Sequence, residues 1–297
     1  MPLPLRHTLP ALATCLTLFL LAEVVRADDL LPPIADRFAK ANTEESPSFQ
    51  RHVLPLMGRL GCNGRACHGS FQGQGGFRLS LFGYDFKTDH EALLNGGDAP
   101  RVDLEDPDAS LIIFKPTDED EHEGGKRYDE GGWEHHVFKR WIESAAKNEW
   151  EEVGVLERLE VIPAEIVFKN EQDTVQLQVI AHWSDGTRED VTPISRFQTN
   201  DDAVVSISED GLVTSAGPGD THIVAFYDNG ITPIPVMLPI SPETAKDYPQ
   251  VATSTKVDEF IVTKLKKLGV VPSEICSDEE FLRRVSLDIT ATLPSAE

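Results

Sequence analysis

Two cysteines and a histidine in one short loop have the clearest chemical potential in this sequence. Residues 61–69 read Gly-Cys-Asn-Gly-Arg-Ala-Cys-His-Gly, which places Cys62, Cys67 and His68 close together. Covalent haem attachment uses this combination, because two thiols add to the vinyl groups of the porphyrin and the following histidine binds the iron. The loop therefore predicts one covalent haem c, with Cys62 and Cys67 as thioether anchors and His68 as the proximal iron ligand.

The spacing of the two cysteines leaves an alternative open. Four residues separate Cys62 from Cys67, whereas the usual haem-attachment signature has two. Two cysteines this close can instead form a structural disulfide in an exported protein, which would make the chain a haem-free surface binding protein. A zinc site is less favoured, because only three soft ligands lie near one another in the sequence.

Helices are predicted on both sides of this loop. A glycine-rich segment over residues 69–83 follows the cysteines, and an apolar stripe predicts a further helix over residues 133–147. Pro55 is expected to bend or break the helix before the cysteines. Residues 45–150 are therefore expected to form a small all-α domain of helices and long loops. The helix before the cysteines is indicated by apolar residues at helical spacing: Phe49, Val53, Leu56, Met57 and Leu60.

The pattern changes from a helical to a strand period over residues 155–240. Apolar and polar side chains alternate from residue 175 to 181, and turn sequences such as Ser184-Asp185-Gly186 separate short apolar runs. About seven short strands in this length predict an all-β sandwich. It contains no cysteine pair and so no internal disulfide. Further strands are predicted at residues 204–207, 212–214, 223–227 and 234–238.

Two amphipathic helices are predicted in the last part of the chain. A linker over residues 241–255 leads to residues 256–297, where apolar residues at helical spacing indicate one helix ended by Gly269. Ser277 with Glu280 predicts a capping box that opens a second helix. Two helices of this length cannot bury their own apolar faces, so this part is expected to be the beginning of a larger helical domain that is truncated here.

Charge and the first residues indicate an exported chain. Asp and Glu number 50 against 27 Lys and Arg, a formal charge of −23, which argues against nucleic acid or anionic lipid and favours solubility or a basic redox partner. Residues 1–27 have the pattern of a signal peptide, with cleavage expected after Ala27 and loss of Cys15. We therefore predict a location in the periplasm, on the cell surface or outside the cell, with no membrane span in the mature chain.

The cysteine-containing part resembles a known family. Residues 49–146 are similar to the planctomycete cytochrome C domain, a family inferred to bind haem from its cysteine motif. The resemblance implies a cytochrome c-like fold and one-electron transfer to or from a periplasmic or cell-surface redox partner. The segments that carry it are residues 62–68, 76–80, 82–85, 107–111 and 124–127.

The same resemblance implies a second iron ligand. Family members often place a methionine or histidine before a glycine-containing turn, and His122 occupies that position in this sequence. Bis-histidine ligation would imply a lower reduction potential than histidine with methionine. Met57 is instead expected in the core, because it lies on the apolar helix face. Three other histidines are expected at the solvated surface: His90, His135 and His136.

Two further resemblances describe the rest of the chain. Residues 184–187, 190–192 and 211–214 match signatures of group 2 bacterial Ig-like domains, which implies a spacer or an adhesion module that engages polysaccharide or protein. Residues 256–297 resemble the start of a domain of unknown function that follows cytochrome domains in large planctomycete proteins. The sequence shows no nucleophile paired with a base and no paired catalytic carboxylates, so electron transfer is expected rather than catalysis.

Overall fold

The computed structural model describes residues 30–96, 101–150, 152–242, 244 and 247–295. The signal peptide predicted over residues 1–27, with Cys15, lies outside the described residues. Helices occur near both ends of the described chain and strands fill its middle, as the sequence predicts. Among the helices in these residues, none is both long and apolar enough to cross a membrane.

Five α-helices are described between residues 34 and 143. The elements are α1 (Ile34–Arg37), a π-helix (Phe49–Val53), α2 (Leu54–Arg59), a 3₁₀ turn (Leu81–Gly83), α3 (Phe86–Asn95), a 3₁₀ turn (Pro107–Ala109), α4 (Leu111–Thr117) and α5 (Trp133–Glu143). Pro55 lies in the first turn of α2, where its missing N–H is not needed, and the π-helix changes to an α-helix there. This change is the predicted break in the helix before the cysteines.

The helices α3 and α4 lie where the sequence predicts only long loops. α3 begins because Asp85 caps it, accepting a hydrogen bond from the Thr88 N–H at 3.1 Å, but it buries too few apolar residues to show a helical period. α4 has seven residues, which is too short for that period to be recognised. α5 ends at Glu143 rather than at residue 147, because Ala145 and Ala146 adopt left-handed backbone angles (φ 67° and 45°).

Buried aromatic rings form the core of the helical region. Trp141 stacks on Phe49 with ring centroids 5.2 Å apart, and His90 lies edge-on to Phe49 at 5.0 Å. Met57 is 2% exposed, as predicted for a core residue. The prediction of a solvated surface is wrong for His90 and His135, which are 9% and 8% exposed. His90 is accommodated because its Nε2 atom lies 2.7 Å from a backbone carbonyl beyond α5, which satisfies the buried ring.

Strands make up the middle of the chain. They are β1 (Leu30–Leu31), β2 (Leu156–Ile162), β3 (Ile166–Val167), β4 (Thr174–Gln176), β5 (Gln178–Trp183), β6 (Arg188–Asp190), β7 (Arg196–Thr199), β8 (Val205–Ile207), β9 (Leu212–Ser215), β10 (Gly219–Tyr227) and β11 (Gly230–Leu238), with a 3₁₀ turn at Thr192–Ile194. Three sheets have the orders β1-β6-β5-β2, β3-β11-β10-β7 and β4-β9-β8. Along β10 the side chains alternate, so that Ile223, Ala225 and Tyr227 point into the core.

The alternating stretch over residues 175–181 is divided between two sheets. The sequence predicts one strand here, but β4 pairs with β9 whereas β5 pairs with β2 and β6. Leu177 between them is 1% exposed, and its N–H donates to the Gly211 carbonyl at 2.9 Å. A chain that changes sheets keeps the same alternation of inward and outward side chains, so the period does not reveal the change.

A buried ion-pair network joins the helices to the strands. Glu189 on β6 is 1% exposed and accepts hydrogen bonds from Arg37 and from His52, whose Nε2 atom lies 2.9 Å away. The Arg51 guanidinium lies 4.3 Å over the ring of Trp183. β1 also pairs in parallel with β6. Buried side chains of the helices and the strands therefore form one continuous core.

The helix α6 (Lys256–Leu268) is capped at both ends. Thr255 and Asp258 form a reciprocal capping box at its start. It ends, as predicted, at Gly269, whose φ of 71° lies in the left-handed region. Several of its apolar side chains remain more than half exposed: Val257, Phe260 and Ile261.

The helix α7 (Asp278–Thr290) is the last element. Ser277 accepts a hydrogen bond from the Glu280 N–H, which is half of the predicted capping box. The Glu280 carboxylate pairs with an arginine one turn later. Several of its apolar side chains are more than half exposed: Phe281, Leu282 and Ile289.

Candidate functional site

The predicted haem-attachment loop closes on itself. The His68 N–H donates to the Cys62 carbonyl at 3.0 Å, and the Cys67 N–H donates to the Gly64 carbonyl at 3.0 Å. The Cys62 N–H is tied to α2 by a 2.9 Å hydrogen bond to the Met57 carbonyl. The backbone therefore holds both thiols and the imidazole in one compact loop that follows α2.

Both cysteines of this loop are free thiols. Burial raises the pKa of Cys62 to about 12, an effect that the nearby Arg127 guanidinium reduces. The Arg127 Nη2 atom lies 3.8 Å from the Cys67 Sγ atom. Because the thiolate is the nucleophilic form, the protonated Cys62 thiol is unsuited to nucleophilic catalysis in the folded chain.

His68 is held as a neutral imidazole with a defined tautomer. Its Nδ1 atom lies 3.1 Å from the Phe77 carbonyl. A carbonyl only accepts, so Nδ1 carries the hydrogen and Nε2 keeps its lone pair. Burial lowers the pKa of His68, which disfavours the imidazolium form. The lone pair on Nε2 is therefore available to a metal, and the backbone hydrogen bond orients the ring as it does in metal-binding histidines.

His122, in the loop after α4, has the same arrangement. Its Nδ1 atom lies 2.8 Å from the Gly125 carbonyl, so Nε2 again keeps the lone pair. A Cβ atom at Gly124 would lie 2.8 Å from the His122 Cε1 atom, which is closer than van der Waals contact allows. The two glycines therefore supply both the space for the imidazole and the carbonyl that orients it.

The rings of His68 and His122 lie close together and nearly parallel. Their centroids are 6.4 Å apart and their planes are inclined by 22°. Two imidazoles bound to opposite sides of one metal ion, with metal–nitrogen bonds of about 2 Å, have centroids about 6 Å apart. The observed separation of the two ring centroids is close to that distance. The structure thus brings His122 to the loop that carries the other three selected residues, Cys62, Cys67 and His68.

The number of donors fits haem iron better than a bare metal ion. Among the described residues, no three His, Cys, Asp or Glu side chains are grouped so that they could hold a metal together. Zinc and calcium take most of their ligands from the protein. Haem iron takes four nitrogens from the porphyrin and needs only axial ligands from the chain. Two imidazoles beside two thiols therefore match the requirements of haem c.

Two arginines lie at the site although the chain is acidic. Arg101 lies 5.0 Å over the ring of Phe77, which packs 4.8 Å from the His68 ring. Arg127 lies beside both cysteines, and neither arginine pairs with a carboxylate of the described residues. Both cations are half-buried and so can neutralise the carboxylates of a bound porphyrin. Neither arginine is among the site residues predicted from the sequence, although Arg127 belongs to a segment that carries the family resemblance.

The other histidines of the helical region lie elsewhere. His90 and His135 are buried in its core, and His136 is half-buried with its Nδ1 atom 2.9 Å from the Phe38 carbonyl. Met57 contributes to the same core, and its carbonyl accepts a hydrogen bond from the Cys62 N–H.

The strand region contacts the cysteine loop through Phe82. The Phe82 N–H donates to the Asn63 carbonyl at 3.0 Å, and Phe82 has a φ of 57°, which is unusual for an aromatic residue. Arg196 on β7 lies 4.2 Å over the Phe82 ring. This cation–π contact helps to hold Phe82 in its strained backbone conformation, and Phe82 in turn holds the loop at Asn63.

The last part of the chain matches a known family. Residues 256–297 match PSCyt2, described as a protein of unknown function (DUF1549), which confirms the resemblance predicted for this part. No curated protein matches the chain. Among solved structures, domains 5-6 of the S-layer protein SbsC match with a TM-score of 0.26 and 18% sequence identity. That match covers 31% of this chain and 48% of the SbsC chain, so it spans about half the length of the solved structure.

Proposed function

We propose that the chain is an exported c-type cytochrome-like protein that transfers single electrons through one covalently bound haem c. The observation that carries the proposal is the pair of imidazoles, His68 and His122. Both Nδ1 atoms bond to backbone carbonyls, and the rings lie 6.4 Å apart in a site with two free thiols. Cys62 and Cys67 would anchor the haem through thioethers, and His68 and His122 would be the protein ligands of its iron.

Two histidine ligands suit electron transfer better than catalysis. Haem iron supplies a one-electron couple between its ferric and ferrous states when it is bound. With His68 and His122 both bound to the iron, the haem would supply electron transfer and would leave no site on the iron for a substrate. The carbonyl bonds at Nδ1 keep His68 and His122 in the metal-binding tautomer and increase their basicity. Such a pair favours a low reduction potential.

The domain assignment follows the sequence resemblances. Residues 45–150 are the cytochrome c-like domain, residues 155–240 a group 2 Ig-like sandwich, residues 241–255 a linker and residues 256–297 the start of a helical domain. The buried pairs of Glu189 with Arg37 and His52 support a sandwich that is fixed to the cytochrome c-like domain. We assign the sandwich an adhesion role, with a polysaccharide or a protein as its ligand, at the cell surface or in the periplasm.

Haem staining after denaturing electrophoresis tests covalent attachment. The full chain is produced in an exporting host with a cytochrome c maturation system, together with the variants Cys62→Ala, Cys67→Ala and Cys276→Ala. We expect the stain to persist in the wild type and in Cys276→Ala, because Cys276 lies outside the loop. Each loop variant should lose at least one thioether, and the double variant Cys62→Ala/Cys67→Ala should lose the stain completely.

Mass spectrometry of the mature chain separates the proposal from the haem-free alternative. A mass increase of one haem supports covalent attachment. An unmodified chain with a two-hydrogen deficit at Cys62 and Cys67 would instead show the disulfide-bonded surface protein and overturn the proposal. A haem that is present in the native chain but lost on denaturation would show binding without thioethers.

A further inference from the structure

Acidic residues are missing from the stretch that carries the cysteine loop. Asp and Glu make up 50 of the 297 residues, yet none occurs among residues 46–84. The same stretch contains four arginines: Arg51, Arg59, Arg65 and Arg78. This stretch of the sequence is therefore positively charged in a chain whose formal charge is −23.

Two of the four arginines form ion pairs within the chain and two do not. Arg51 and Arg59 pair with Asp185 and Asp210 of the strand region at 2.6 Å and 2.9 Å. Arg65 and Arg78 are exposed and form no ion pair with any described residue. Their charges are consequently not neutralised within the described part of the chain.

Large aromatic side chains are exposed in the same stretch of sequence as these two arginines. Phe71 is 88% exposed and Tyr84 is 92% exposed, and the Arg78 guanidinium lies 5.8 Å from the centre of the Phe71 ring. The four exposed residues Arg65, Phe71, Arg78 and Tyr84 of this acid-free stretch are together named the basic face. Exposed aromatic residues and arginines are the residue types that dominate binding at protein interfaces.

The basic face lies close to the proposed proximal ligand. The Leu79 N–H donates to the His68 carbonyl at 2.8 Å, so Arg78 is adjacent to a residue bonded to the histidine. Arg101 and His122 both act electrostatically on His68 from other parts of the chain. Acidic residues flank the other side of the site, where Glu121 and Glu123 adjoin His122. The sequence around His68 is therefore free of acidic residues, whereas the sequence around His122 is not.

We infer that the basic face is the docking surface for an acidic electron-transfer protein. This inference rests on the proposed function and names the partner of the same site, in place of the basic partner that the net charge predicts. The acidic remainder of the chain repels a negative partner, whereas Arg65 and Arg78 attract it, so the partner is oriented towards the His68 side. Phe71 and Tyr84 supply the small apolar contact that is typical of transient redox complexes.

Electron transfer from an acidic plant-type [2Fe–2S] ferredoxin provides the test. The reduced ferredoxin loses one electron and the ferric haem of the full chain gains it, which is followed by stopped-flow absorbance at increasing ionic strength. The variants are Arg65→Glu/Arg78→Glu and the control Lys169→Glu/Arg283→Glu, which changes the net charge equally at two other exposed positions. We expect the rate to fall with ionic strength in the wild type.

The two double variants should behave differently. At low ionic strength the Arg65→Glu/Arg78→Glu rate should be at least tenfold lower than that of the wild type, whereas the control should stay within about twofold, because only the first pair lies on the basic face. Equal rates in the two variants, or a wild-type rate that rises with ionic strength, would overturn the inference.

Binding measured without electron transfer keeps the two proposals separable. Surface plasmon resonance at low salt with the ferredoxin should show binding that the Arg65→Glu/Arg78→Glu variant loses, whether or not haem is attached. If the chain binds the ferredoxin through this face but no haem becomes attached to it, the basic face is supported and the proposed function is overturned. If haem is attached but the chain does not bind the ferredoxin, the proposed function is supported and the inference about the basic face is overturned. Sedimentation of the chain alone tests whether the face binds a second copy of the chain. Dimers that form in the wild type and are lost in the Arg65→Glu/Arg78→Glu variant would show this, and would also contradict the inference.

Discussion

His52 and Glu189 lie 2.9 Å apart in the structure and 137 residues apart in the chain. The Ser48 N–H donates to the Nδ1 atom of His52 at 2.9 Å, so the Nε2 atom carries the hydrogen and donates to the Glu189 carboxylate. Arg37 donates to the same carboxylate. One buried carboxylate therefore connects the helix that precedes the cysteine loop with the first sheet.

Replacing Glu189 with Gln should lower the free energy of unfolding by about 3 kcal/mol, because it leaves the Arg37 guanidinium without its buried counter-charge. Urea unfolding followed by tryptophan fluorescence measures the change. The control Glu171→Gln alters an exposed carboxylate with no partner role, and should change stability by less than about 0.5 kcal/mol. Equal midpoints for the two variants would contradict a role for Glu189 in joining the regions.

The same carboxylate should make stability depend on pH. Burial acts to raise the pKa of Glu189, but His52, Arg37 and Arg51 together hold it below its usual value. Glu in an unfolded chain has a pKa of about 4.3, so the stabilisation is complete above that pH and is lost as the pH falls through the folded value. Thermal unfolding between about pH 3 and pH 7 should show a steeper acid loss in the wild type than in Glu189→Gln. Parallel curves would oppose this prediction.

Replacing Gly124 with Ala should displace His122, because the added Cβ atom would lie 2.8 Å from its ring. In the haem-loaded chain we expect the absorbance spectrum to change from six-coordinate low spin towards five-coordinate high spin. Gly131→Ala is the control, since a Cβ atom there meets nothing within 4 Å. It has a positive φ and should cost about 1 kcal/mol of stability without altering the spectrum. An unchanged spectrum in Gly124→Ala would argue against His122 as a ligand.

Replacing His122 with Met should raise the reduction potential by on the order of 100 mV, because methionine opposite histidine favours the ferrous state. Spectroelectrochemical titration of the haem-loaded chain gives the value. The control His222→Met makes the same substitution on β10 and should leave the potential unchanged. A reduction potential that is unchanged in both variants would show that His122 does not bind the iron.

Replacing Arg196 with Ala should lower the free energy of unfolding by about 1–2 kcal/mol, because it removes the cation over the rings of Phe82 and Phe226. The control Arg158→Ala removes an exposed arginine that pairs with Glu160, and we expect a loss below about 1 kcal/mol. Chemical unfolding of both variants measures the difference. A smaller effect at position 196 than at position 158 would show that Phe82 does not depend on this contact.

The sequence predicted an element correctly where residues within that element determine its structure. Gly269 ends α6 because the left-handed conformation favours glycine, and the cysteine loop follows a helix whose apolar face is readable from its period. α3 and α4 were missed because a short or polar helix leaves no apolar period. His90 and His135 were misplaced because a histidine becomes a core residue only when tertiary structure provides its hydrogen-bond partners or neighbours.

The other features that could not be predicted depend on contacts between residues far apart in the sequence. His122 was found through a family resemblance, since no local pattern relates it to His68. The contacts of Glu189 with His52 and of Arg196 with Phe82 join residues from different regions, and each residue taken alone resembles an ordinary surface charge or loop aromatic. A single sequence carries no record of such pairs, so only coordinates reveal them.

The two strands of the parallel β1–β6 pair are synthesised at different times. Leu30 pairs with Arg188 and Leu31 with Glu189, and the ribosome makes the first partner of each pair long before the second. Contacts between such distant residues form late, because the intervening chain must first be made and closed into a loop. While β6 is unmade, Arg37 and His52 lack Glu189, and the cysteine loop lacks the support of Arg196 through Phe82. If haem is attached as proposed, an attachment enzyme would meet the thiols at a stage before the sheet closes the fold.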